Sequence, residues 1–166
     1  MINLTFDNIN DYIGRALDKL YERDSFLLQQ ELNITERAIT HRMALFLQQI
    51  LTDEFDVDCE YNRMGMRAGN EIYYTEGDYF AKTVCLSEGH VPDDDDEGSR
   101  VFPDIIVHKR GTAFNYVIIE VKIKWKNGKA SRDIRKLKAY KADLNYEHAF
   151  YIELSQGREE VKVVAV

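Results

Sequence analysis

The sequence predicts an α/β domain: a central mixed sheet flanked by helices, with an extra helix at the N-terminus. Three observations carry this. Two segments in the first third repeat their apolar residues at the three- and four-residue spacing of amphipathic helices. An aliphatic run in the second half is apolar on both faces, as a strand covered from both sides must be. A third helical pattern then separates that strand from the last ones. The 166 residues, 45% hydrophobic and 31% charged, suit one domain spanning 1–166. At that size roughly two thirds of the unfolded chain's surface can be buried without help from disulfides or a structural metal.

From Asn8 to Asp24, Ile9, Tyr12, Ile13, Ala16, Leu17, Leu20 and Tyr21 trace one face of a helix, which lies in an N-terminal helical extension, 1–33. A second helix starts at Thr35 as N-cap, places Ile39, Met43, Phe46, Leu47, Ile50 and Leu51 on one stripe, and ends near Asp53. Glu36 shares the face of Ile39 and Met43 in the first turn. The macrodipole favours a carboxylate there by about 0.3–1 kcal/mol, which is its plain structural reading.

Asp56 to Arg63 alternates as a half-buried strand. Residues 64–100 read as an insertion or loop region, with short strands around Ile72 to Tyr74 and Ala81 to Leu86. The carboxylate run Asp93 to Glu97 lacks the alternating ligands of a calcium loop and reads as a solvated loop. Val101 to His108 and Tyr116 to Trp125 are strands joined through a turn at Gly111. Ser131 to Leu144 is a helix with Ile134, Leu137, Lys138, Lys141 and Leu144 along one side, followed by strands at His148 to Leu154 and Glu160 to Val166.

Cys59 and Cys85 follow no metal-ligand spacing, and Met1 to Asn10 has no basic stretch followed by an apolar run. No apolar segment approaches the roughly 20 residues that cross a bilayer. The expectation is a cytoplasmic protein with reduced thiols and no membrane partner. The net charge of -7 argues against a polyanionic partner, but its distribution reverses that. Nine basic residues and one acidic residue lie between Lys122 and Lys141, so that stretch carries +8 and the remainder -15. Such asymmetry points to a nucleic-acid or phosphate surface on one side of an acidic body, the bland alternative being a solvated helix face.

Local logic breaks at two acids. Asp104 follows Pro103 at the head of one strand, and Glu120 interrupts the aliphatic run of the next, with Lys122 two residues on and on the same face, roughly 7 Å along the backbone. Charges inside such a strand are costly unless paired or metal-bound, and breaks of this kind mark functional sites. The plain reading is a buried Glu120–Lys122 ion pair.

Val101-Phe102-Pro103-Asp104-Ile105-Ile106-Val107-His108, followed by Ile118-Ile119-Glu120-Val121-Lys122, resembles the core of the PD-(D/E)XK nuclease superfamily over roughly Glu36 to Leu154. The resemblance implies a restriction-endonuclease-like αβββαβ core and Mg²⁺-dependent hydrolysis of DNA phosphodiesters, endonucleolytic rather than exonucleolytic, with Mn²⁺ as substitute. It implies Asp104, Glu120, Lys122 and Glu36 as catalytic residues. Asp104, Glu120, the Val121 carbonyl and Glu36 would hold the metal, a donor set of hard oxygens that suits Mg²⁺. Lys122 would orient or deprotonate the attacking water. Lys124, Lys126, Arg132 and Lys136 would track the phosphate backbone. Many nucleases of this superfamily carry a Gln and a Tyr four residues apart on the helix; here Lys136 and Tyr140 hold that spacing.

His108, about 13 Å of strand from Asp104, is expected to cap the strand end rather than share a ligand role. His41 falls about 140° from Glu36 round its helix, so it is exposed or packed on the N-terminal helix. Tyr61 is expected to pack and Arg63 to lie at the surface. Two rival readings are a non-catalytic nucleic-acid-binding or assembly module on the same fold, and an acidic mimic of DNA, which the basic stretch contradicts. A homodimer or a partner protein would enlarge the basic surface.

Overall fold

A computed structural model describes residues 4–61, 63–64, 66–68, 71–73, 80–81, 102–126 and 130–166. Thr5 caps helix α1 (Phe6–Asp24) by accepting the Asn8 N–H, and Thr35 caps α2 (Glu36–Leu51) by accepting that of Ala38. The stripes predicted from periodicity are the buried ones: Ile9, Ile13, Ala16, Leu17 and Leu20 of α1 pack with Ile39, Met43, Phe46, Leu47 and Leu51 of α2. The N-terminal extension is therefore part of the main core.

The strands are β1 (Asp56–Asp58), β2 (Arg63–Met64), β3 (Met66–Ala68), β4 (Glu71–Tyr73), β5 (Phe80–Ala81), β6 (Ile105–His108), β7 (Asn115–Ile123), β8 (His148–Leu154) and β9 (Lys162–Ala165), with α3 (Ala130–Leu144) between β7 and β8. β1-β6-β7-β8-β9 form a mixed sheet, antiparallel except for β7 and β8, which run parallel through the α3 crossover. β2 pairs with β5 and β3 with β4 in two separate ribbons.

Strand alternation divides the interior in two. Ile105, Val107, Val117, Ile119, Val121 and Ile123 face α1 and α2, while Ile106 and Ile118 meet Leu137, Tyr140 and Leu144 of α3. β7, buried on both sides as its aliphatic run requires, is the central strand.

Several expected boundaries shift. The strand from Asp56 stops at Asp58, because Glu60 adopts φ 53°, outside the extended region. The strand foreseen from Val101 starts only at Ile105; Pro103 has no N–H for a ladder, and its carbonyl instead accepts the Glu60 N–H at 2.9 Å. β7 ends at Ile123 rather than Trp125, and a 3₁₀ turn at Arg158–Glu160 delays the last strand to Lys162. On α3 the buried residues are Asp133, Leu137, Tyr140 and Leu144, whereas Lys138 and Lys141, expected on that side, are exposed. Glu71–Tyr73 and Phe80–Ala81 bear out parts of the expected short strands; 82–86, Cys85 and the Asp93 to Glu97 run lie outside the described residues. Among the described residues no helix is long and apolar enough to cross a membrane.

Candidate active site

The β6–β7 register brings the two sequence-predicted acids together. Ile105 pairs with Ile119 at the end of the β6–β7 ladder, which brings Asp104, just ahead of β6, next to Glu120, whose carboxyl feels the Asp104 charge. Neighbouring like charges are destabilising, so the local fold holds this pair against its own preference. Asp104 Oδ2 accepts the Val121 N–H at 2.7 Å, a bond that substitutes for the ladder. Pro103, which has no N–H to donate, lies ahead of β6, and its carbonyl accepts the Glu60 N–H. The Asp104 carboxylate is thus locked beside the central strand by the Val121 N–H.

Glu120 is buried, and its Oε1 has no hydrogen-bond partner among the described residues. Leaving such an oxygen unpaired costs about 1–3 kcal/mol, more when it is charged. Its other oxygen lies 4.0 Å from Lys136 Nζ, which also stands 3.9 Å from Asp133 Oδ1. Burial, then the Asp104 charge, pushes the Glu120 carboxyl up to about 8, with Lys136 pulling the other way. Burial likewise raises Asp104 to about 6; the Val121 hydrogen bond resists and Glu36 adds to the rise. Glu120 therefore retains its proton at neutral pH unless a cation takes its place.

Lys122 does not form the ion pair with Glu120 that its spacing suggested. Its Nζ lies 3.1 Å from Glu36 Oε1, and Glu36 Oε2 accepts the Ile123 N–H at 3.1 Å. Glu36 thus pins the start of α2 to the end of β7. Burial lowers the Lys122 pKa, but the Glu36 hydrogen bond and charge, helped by Asp133 and Asp104, outweigh it and leave the pKa raised. Among the described residues no three His, Cys, Asp or Glu side chains are gathered as a ready cation cage. The acids that converge are Asp104 and Glu120, with Glu36 turned to Lys122.

Of the basic candidates, Lys136 reaches the acids, whereas Lys124 pairs with Glu160 at 2.8 Å and Lys126 donates to the Ile34 carbonyl. Arg132 is exposed on α3. His108 is buried and meets Asp58 at 2.8 Å, with the Tyr61 ring 4.8 Å from its own, so both have the structural places expected of them. Arg63 lies in β2, and His41 is exposed. Two neighbours were missed. Asp133 is buried in line with Leu137, Tyr140 and Leu144, a spacing that shows it on the inner face of α3. Tyr151 pairs with Glu120 across β7–β8, a partnership without a local signal. Beside Asp104 and Glu36 a cleft of about 620 Å³ opens between the first turns of α2 and the segment after β1.

No protein-family model and no curated protein matches the chain. A solved structure titled "Crystal structure of SSO0001" is similar at 13% identity and a TM-score of 0.35; the match covers 94% of this chain and 65% of that one. A likeness of that degree carries nothing about activity.

Proposed function

We propose that this chain is a Mg²⁺-dependent deoxyribonuclease on a restriction-endonuclease-like core of the PD-(D/E)XK kind, cutting DNA phosphodiesters endonucleolytically in the cytoplasm. The observation that supports it is the Asp104–Glu120 pair: two neighbouring carboxylates, one with a buried oxygen that has no partner among the described residues. A hard divalent cation is the partner such a donor set suits, and Asp104, Glu120 and the Val121 carbonyl would hold it, Mn²⁺ substituting for Mg²⁺. When bound, the ion polarises the phosphate and acidifies a water ligand.

The chain's own residues do the rest. Lys122, whose pKa is raised by Glu36, stays an ammonium at neutral pH, so its part is to neutralise charge developing on the phosphate rather than to remove a proton from water. Glu36 is the positioning residue for that ammonium. Lys136 limits the repulsion between Glu120 and Asp133 and offers a second cation to the substrate. A second copy or a partner protein would enlarge the basic surface along α3.

The test is hydrolysis of supercoiled, linear duplex and single-stranded DNA with Mg²⁺, Mn²⁺ or EDTA by wild type, Asp104→Ala and Lys122→Ala. Metal-dependent cleavage lost in both variants is expected. No cleavage, with no cation binding by calorimetry, would favour the binding-module reading.

A further inference from the structure

The cleft beside Asp104 has features that the hydrolysis reading does not use. One wall is α2, with Arg37, Thr40 and His41; the other is Cys59 and Glu60, with Asp104 at one end. At about 620 Å³ it is in the range of small-molecule sites. Arg37 bridges the walls to Glu60 at 2.8 Å, and Glu36 is held by Lys122, so the charges along the cleft are largely spent within the protein. Among the described residues no unpaired guanidinium lines the cleft to receive a phosphate, whereas a neutral nucleoside meets polar walls.

Two further side chains point to such a ligand. Thr40 is only 3% exposed, lines the cleft, and its hydroxyl oxygen has no hydrogen-bond partner among the described residues. Phe102 is 55% exposed although it is a large apolar residue two positions before Asp104. It adjoins Pro103, whose carbonyl holds the Glu60 N–H of the cleft wall, so its backbone is one residue from that wall. Exposed aromatics beside a strand-binding site serve as stacking platforms for unpaired bases. A base still paired in a duplex cannot leave its partner to enter a cleft without being unstacked.

Resting on the hydrolysis reading, we propose that this cleft receives one unpaired nucleotide next to the scissile phosphate, with Phe102 stacking on a base at the rim, so that the preferred substrate is single-stranded DNA or a single-stranded tail. Thr40 would then turn its hydroxyl, shielded in the structure, toward the nucleoside, and the phosphate would remain at the Asp104–Glu120 end.

The experiment measures binding of a fluorescent single-stranded oligonucleotide and of its blunt duplex in Ca²⁺, together with hydrolysis of both in Mg²⁺, for wild type, Phe102→Ala and Cys59→Phe. Phe102 is exposed, so its truncation leaves the core intact; circular dichroism melting checks that both variants fold. The expected result is single-strand binding at least about 10-fold tighter than duplex binding, weakened about 5-fold or more in each variant while the duplex changes less than about twofold. Duplex binding equal to or tighter than single-strand binding overturns the proposal, as does single-strand binding unchanged in both folded variants. If DNA is hydrolysed but the variants keep wild-type KM on single strands, the cleft assignment falls and the nuclease reading stands. If the binding pattern appears without hydrolysis, the cleft assignment stands and the nuclease reading falls.

Discussion

Lys122 Nζ stands 3.1 Å from Glu36 Oε1, joining the first turn of α2 to the end of the central strand across 86 residues of sequence. Both side chains are three-quarters buried, so the contact is shielded better than a surface pair.

Glu36→Gln is expected to destabilise the protein by about 1–2 kcal/mol in urea unfolding at pH 7, since it weakens a hydrogen bond to a charged group and leaves Lys122 without its counter-charge. The Lys122 pKa is raised in the fold, so the stability it contributes is complete below the ordinary lysine value of 10.5 and disappears as pH climbs through the folded value. The difference between wild type and Glu36→Gln should therefore persist from pH 6 to 9. A variant as stable as wild type across that range would show that the pair contributes nothing.

The raised carboxyls give the opposite pH dependence from most acids. Folded Glu120 and Asp104 hold protons that the unfolded chain releases, so the stability they give metal-free protein is complete below their ordinary values of 4.5 and 3.8 and is lost as pH rises through about 6 and then about 8. The loss should be on the order of a few kcal/mol. Glu120→Gln in EDTA should flatten this slope and melt above wild type at pH 8. Mg²⁺ at pH 8 should raise the wild-type Tm by about 5 °C or more and leave Glu120→Gln within about 1 °C. Equal slopes for the two proteins in EDTA would remove Glu120 as the titrating group.

Asp58 holds a different position. Burial works to raise its pKa, but hydrogen bonds from His108 and Arg110 outweigh that and hold the carboxyl well below the usual range. Its contribution is present above the ordinary value near 3.8 and is lost only as pH falls far into acid. Asp58→Asn should cost about 1–3 kcal/mol at pH 7, because buried His108 loses a charged partner. Urea unfolding at pH 7 and pH 4 should give similar losses; no loss at pH 7 would mean that the His108 contact is incidental.

The parts of this protein written in local pattern were legible in the sequence. Ile9 to Leu20 and Ile39 to Leu51 repeat with the helical period, and Val117 to Ile119 can only be a doubly covered strand, so α1, α2 and β7 were foreseen. Asp104 and Glu120 stood out because charge inside aliphatic strands needs a reason. The inner face of α3 was misplaced because lysine stems resemble apolar residues, and Lys138 and Lys141 were counted in where Asp133 and Tyr140 belong. The true partner of Lys122 was invisible, since spacing offered Glu120 two residues away and only the fold brings in Glu36. Lys126, expected on DNA, is turned to the Ile34 carbonyl just before α2 for the same reason.

The central claim, that the neighbouring Asp104 and Glu120 carboxylates form a cation site for DNA hydrolysis, is tested most directly by following conversion of supercoiled plasmid to nicked and linear forms at pH 8 in Mg²⁺, with wild type and Glu120→Gln side by side. The account predicts Mg²⁺-dependent nicking by wild type, abolished by EDTA and reduced at least about 100-fold in Glu120→Gln, the scale on which loss of a transition-state stabilising group acts. Nicking by Glu120→Gln at the wild-type rate, or by wild type in EDTA, would contradict it.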